Sequence, residues 1–153
     1  MQQEFRASVA APDQRVFAVL ADLGHYDDLL GIVHQVVPDA TTAVDGEPAW
    51  WVTLRAKLGP LARSKRLRMV RTVHEPDQLV RFERRETDSR QHSAWTLEAR
   101  VEPASGGEPA SEVTMALDYG GRLWSGMLDG VLQGQVNSAA ANLARLAQSP
   151  TPS

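Results

Sequence analysis

Apolar residues fall into two periods along the chain, and the longer period comes last. Leu123, Met127, Leu128, Val131, Leu132, Val136, Leu143 and Leu146 recur at steps of three and four, which puts them on one side of a helix. From Arg122 to Ala147 that helix would run about 39 Å at 1.5 Å per residue, enough to cross a small domain. Its apolar side needs a surface to lie on.

The upstream chain supplies one. Phe5, Ala7 and Val9 alternate with Arg6 and Ser8, the period of a half-buried strand. Pro12 suits the first position of a helix whose apolar face is Val16, Val19, Leu20 and Leu23, with Asp13 near its positive end and Gly24 as its stop. A second short helix holds Tyr26, Leu29 and Leu30, and a strand from Ile32 to Val37 is closed by Pro38.

After a turn-rich connection centred on Asp45-Gly46, four alternating strands follow. Trp50, Val52, Leu54 and Ala56 face one way, and Trp51, Thr53, Arg55 and Lys57 the other. Leu67, Met69, Arg71 and Val73 alternate with Arg66, Arg68, Val70 and Thr72; Val80 and Phe82 alternate with Arg81, Glu83 and Arg85. Trp95, Leu97, Ala99 and Val101 form the next inward face. A loop containing Gly106-Gly107 leads to a last strand with Val113, Met115, Leu117 and Tyr119. Hairpin-length links make these strands antiparallel neighbours. The expectation is an α+β fold: a curved seven-stranded antiparallel sheet wrapped around the long C-terminal helix, with two short helices after the first strand.

At 153 residues the chain is expected to form one domain, residues 1–147, with a disordered tail over 148–153. Cysteine is absent, which removes disulfides and thiolate ligands. The N-terminal residues lack a basic head followed by an apolar run, and no segment approaches a membrane span; the expected location is the cytoplasm. A net charge of −3 argues against a general nucleic-acid binder. Charge is nevertheless segregated. No Lys or Arg lies between Arg15 and Arg55, whereas from Arg55 to Arg71 seven basic residues meet no acid.

The order of elements resembles the START-like superfamily of polyketide cyclases, lipid-transfer proteins and pollen allergens. The particular echoes are Ala10-Ala11-Pro12-Asp13-Gln14-Arg15-Val16-Phe17, Leu58-Gly59-Pro60-Leu61 and Tyr119-Gly120-Gly121-Arg122-Leu123. The latter two are most similar to the carbon monoxide dehydrogenase G branch, which is associated with membrane recruitment of its enzyme. The resemblance implies a helix-grip fold and a cavity between sheet and helix.

The cavity would be lined by Trp50, Met69, Phe82, Trp95, Leu97, Met115, Tyr119, Leu123, Met127 and Val131, with Arg71 and Tyr119 as polar groups inside it or at its mouth. The plainer alternative is that these side chains simply fill the core. Function is expected in the first half of the long helix and plain packing in the second. Gly126, Gly130 and Gly134 recur along that helix; close approach of a strand or loop is the first explanation, and room for a ligand or a homodimer partner are the others. The basic run from Arg55 to Arg71 would lie mostly on the convex face, either paired with Glu83, Glu86 and Glu98 or meeting an anionic membrane or acidic protein.

His25, His34, His74 and His92 lack metal-ligand spacing, and no Gly-x-Ser-x-Gly elbow or phosphate loop is present. No metal or other cofactor is expected. The leading functional expectation is a binding or carrier module for a hydrophobic small molecule such as a lipid, polyketide or quinone-like compound. Its rivals are a polyketide cyclase or aromatase using Tyr119, Arg71 or His25 for proton transfer, and an adaptor docking on a larger enzyme or membrane.

Overall fold

The computed structural model describes residues 2–39, 47–58, 60–87, 90–104, 110–120 and 127–148. The strands are β1 (Gln2–Val9), β2 (Val33–Pro38), β3 (Ala49–Leu58), β4 (Leu61–Glu75), β5 (Leu79–Arg84), β6 (Trp95–Pro103) and β7 (Ser111–Tyr119). The helices are α1 (Asp13–Leu20), α2 (Tyr26–Leu29) and α3 (Met127–Gln148), with a 3₁₀ turn at Leu23–His25 before α2.

The seven strands form one sheet in the order β1-β7-β6-β5-β4-β3-β2, and each neighbouring pair is antiparallel. After β1 the chain crosses through α1 and α2 to the far edge, then returns strand by strand until β7 pairs with β1. The alternation explains which face is inward. Trp50, Val52 and Leu54 of β3 are buried, whereas Arg55 is exposed and Trp51 and Thr53 are half-buried. Leu58 pairs with Leu61, so β3 and β4 meet as the tight hairpin that the sequence predicts.

Strand β4 departs from simple alternation. Its pairing with β5 shifts between Arg71 and Val73, and a bulge of this kind re-aims the side chains beyond it. Leu67, Arg68, Met69 and Val70 are all buried in succession, so both faces of the sheet are covered at this point. Alternation alone sends Arg68 to solvent, yet it is 1% exposed. The reason is its partner at the end of β2: Arg68 Nε donates to Asp39 Oδ2 at 2.7 Å, and Nη1 donates to the Arg85 carbonyl at 2.9 Å. A buried guanidinium persists where such acceptors meet it.

Helix α1 also ends sooner than Gly24 suggests. It closes at Leu20, with Ala21 as C-cap and Pro12 as N-cap rather than first helical residue. Asp22 then starts a new turn, its carboxylate accepting the Gly24 N–H at 2.8 Å, a side-chain cap that ends one helix by opening the next. The Arg71 guanidinium donates to the Ala21 carbonyl at 3.0 Å, placing a cation at the negative end of α1.

The described part of α3 starts at Met127; the expected first turn from Arg122 lies outside the described residues, as do Asp45-Gly46 and Gly106-Gly107. The helix lies across β1 and beside α1 and α2. Its last turn is fastened. Leu143 and Ala147 are buried, Gln148 Nε2 donates to the Ala10 carbonyl at 2.6 Å, and Arg15 Nη1 donates to the Ala147 carbonyl at 3.5 Å. Gln148, which the sequence assigns to the tail, is thus the final residue of the helix. Close approach does not explain Gly134, which is exposed and has nothing within 4 Å of where a Cβ would stand. Gly126 lies outside the described residues.

Candidate functional site: two adjoining apolar chambers

Sheet and helix do not meet everywhere. A cavity of about 90 Å³ separates them, several times the roughly 10–15 Å³ that one water needs. Its floor is Phe5, Ala7 and Val9 of β1 with Val113, Met115 and Leu117 of β7, and its roof is Val136, Ala139, Ala140 and Leu143 of α3. The roof positions repeat at three, four and seven residues, one helical face. Their small size leaves the gap, because two alanines stand where leucines would reach the sheet. Phe5, Leu97, Met115 and Leu117 are only half-buried as a result.

A second chamber of about 80 Å³ continues the first. Tyr26 and Leu23 close one side, Ile32 and Val33 another, and Val52, Leu54, Leu67, Met69 and Trp95 form the sheet wall. Leu30, Leu97 and Leu117 border both chambers. The walls are apolar almost throughout. Tyr26 carries a hydroxyl, but it donates to the Leu20 carbonyl at 2.9 Å, and burial followed by the nearby Asp22 charge pushes its pKa far above the ordinary tyrosine value.

Of the residues expected to form the site, Met69, Trp95, Leu97 and Met115 border the chambers. Trp50 and Phe82 do not; they pack edge to face with ring centroids 5.7 Å apart, in the core beneath. Tyr119 is buried against Trp95 at 5.3 Å. Arg71, expected inside or at the mouth, instead turns its guanidinium to the end of α1. Leu123 lies outside the described residues, and Met127 and Val131 belong to α3 with side chains outside those described. The later half of α3, expected to be plain packing, provides the roof of the first chamber. A signal for it exists in the spacing of Val136, Ala139, Ala140 and Leu143, but the alanines make that stretch look like filler.

A charged cluster stands beside the second chamber, next to its Leu54 and Trp95 walls. Lys65 pairs in register with Leu54, is half-buried, and its ammonium stands 5.7 Å from the Trp95 ring centroid. Arg84 Nε and Glu86 Oε1 are 2.9 Å apart nearby, both side chains largely buried. Burial, and then the Arg84 charge, lowers the Lys65 pKa below its ordinary value, with Glu86 acting in the opposite sense.

Of the acids expected to meet the basic hairpin, Glu86 does so, accepting the Arg68 backbone N–H at 3.2 Å. Glu98 meets Arg81 at 2.6 Å and Arg100 at 3.8 Å rather than the hairpin. Arg66 lies 4.3 Å over the Trp51 ring, a cation–π contact. Among the described residues no three His, Asp or Glu side chains converge as a metal site, and no helix is long and apolar enough to cross a membrane.

A seven-stranded antiparallel sheet, a C-terminal helix laid over it and an apolar void between them define the helix-grip fold. A family model described as polyketide cyclase / dehydrase and lipid transport matches residues 2–148, and the chain belongs to that family. Comparison with curated proteins gives no significant match. Among solved structures, a START superfamily protein from Mycobacterium smegmatis is similar with TM-score 0.63 and 14% identity over 96% of this chain and 97% of that one. The Zhui aromatase/cyclase from Streptomyces sp. R1128 gives TM-score 0.57 and 17% identity over 96% and 90%. Truncated norcoclaurine synthase from Thalictrum flavum gives 0.62 and 13% over 99% and 95%. At these identities the likeness is one of fold. The narrower resemblance to the carbon monoxide dehydrogenase G branch rests on its two motifs alone.

Proposed function

We propose that the protein binds a hydrophobic small molecule in the space between its sheet and α3. The observation that carries this reading is the pair of adjoining apolar chambers bridged by Leu30, Leu97 and Leu117. Protein interiors pack densely, and apolar walls held apart in this way are surface that an apolar occupant would cover favourably. Membership of a family described by polyketide cyclisation and lipid transport supports the same reading.

The names of two similar structures, an aromatase/cyclase and a synthase, favour turnover as the rival. Cyclisation needs groups that move protons at the reacting carbons. Among the chamber walls the ionisable side chains are Arg6 in the first, an exposed residue, and Tyr26 in the second, whose hydroxyl is committed to a backbone carbonyl; among the described residues no pair of such groups converges on either chamber. The balance lies with binding and carriage.

The test is native mass spectrometry of the purified protein, alongside titration with an environment-sensitive apolar dye. Ala140→Leu should fill part of the first chamber and weaken dye binding by about tenfold or more, while leaving the fold intact at a cost within about 1–3 kcal/mol. Dye binding that is absent in the parent protein, or unchanged in the variant, would sink the assignment of this cavity.

A further inference from the structure

Lys65 is the feature the apolar cavity does not absorb. Its side chain shares the inward face of β4 with Leu67 and Met69, stands opposite Leu54 and reaches over Trp95. Leu54, Leu67, Met69 and Trp95 are all walls of the second chamber; Lys65 is not itself a wall, but its ammonium stands beside the Trp95 wall. The charges around it are already matched with one another. Arg84 donates from Nε to Glu86, from Nη1 to the Ser93 carbonyl at 3.2 Å, and contacts His92 Nδ1 through Nη2 at 3.3 Å. Among the described residues, no oxygen hydrogen-bonds the Lys65 ammonium; its contact is the Trp95 ring.

A half-buried ammonium facing aromatic and aliphatic neighbours gives up solvation without gaining an acceptor among the described residues. An anion arriving beside the Trp95 wall would restore the balance, and charged hydrogen bonds of that kind are among the stronger polar contacts. The rest of the chamber would hold an apolar body and little else. We propose that Lys65 anchors the carboxylate of an amphipathic ligand whose hydrocarbon or aromatic part fills the chambers, so that the preferred cargo is a monocarboxylate rather than a neutral apolar molecule. The inference rests on the cavity-binding reading above and sharpens it to a ligand class.

Titration calorimetry of the full chain with decanoate and with 1-decanol, both below their aggregation concentrations, separates the two ideas. The parent protein should bind decanoate at least about tenfold more tightly than decanol. Lys65→Met and Lys65→Gln should each erase that preference while leaving decanol affinity unchanged, and Lys65→Arg should retain most of it. Equal affinity of the parent protein for the acid and the alcohol, or a preference that survives in both neutral variants, overturns the anchor and leaves cavity binding standing. Binding of neither probe to the parent protein overturns cavity binding and the anchor together.

Discussion

Arg68 and Asp39 place opposite charges 2.7 Å apart, with side chains 1% and 8% exposed, on the side of the sheet away from the chambers. A buried pair contributes little over a well-packed apolar pair, but removing one member strands the other. Arg68→Met should therefore cost about 3–5 kcal/mol in urea denaturation, and adding Asp39→Leu should recover most of it. A single-variant loss below about 1 kcal/mol would mean the pair behaves as a surface bridge. Tyr26 makes a pH-dependent contribution. Its folded pKa is raised above the ordinary 10.0, so the neutral hydroxyl's full contribution is present below that value and declines as pH rises past it, where the unfolded chain gives up its proton first. Stability of the parent protein should fall more steeply between about pH 9 and 11 than that of Tyr26→Phe. At neutral pH the variant should be weaker by about 1 kcal/mol, for the lost hydrogen bond to Leu20.

At the level of elements, strand alternation is legible because period two depends only on which residues face inward. Trp50-Val52-Leu54 and Trp95-Leu97-Ala99-Val101 need no knowledge of their neighbours. The bulge at Arg71 and Val73 is not legible, because a register shift is set by two strands together and leaves no mark in either one. Nor is the burial of Arg68, whose partner lies 29 residues away in sequence. Helix α3 is recognisable by its period, yet the meaning of its glycines is not. Gly134 faces open space, so alanine there meets no obstacle. Gly134→Ala should stabilise the protein by up to about 1 kcal/mol through helix propensity and a less free unfolded chain, read from the denaturation midpoint. A loss of stability would show that something outside the described residues occupies that side of the helix.

For the molecule as a whole, the sheet-and-helix architecture follows from the order of periodic segments, whereas a cavity could be expected only through family resemblance. Whether space remains between two apolar layers depends on the difference between large volumes, and no single residue carries that difference. Ala139 and Ala140 set the gap, yet alanine in a helix reads equally well as tight packing. Met69, Trp95, Leu97 and Met115 could be placed on the inward face by pattern. The division of that face into chambers and solid core, with Trp50 and Phe82 in the latter, depends on where α2 and α3 come down on the sheet, and that placement is set by the whole chain at once.

The fastening of the last turn of α3 acts like the clamped end of a beam. Ala10, Arg15 and the buried Leu143 and Ala147 hold that end, while the described helix extends from it for about 33 Å over its 22 residues. A small tilt of a clamped beam displaces each point in proportion to its distance from the clamp. The roof at Leu143 therefore keeps its height above the sheet, and the roof at Val136 rises more for the same tilt. Were the helix to tilt about this end, the space beneath Val136 would widen more than the space beneath Leu143.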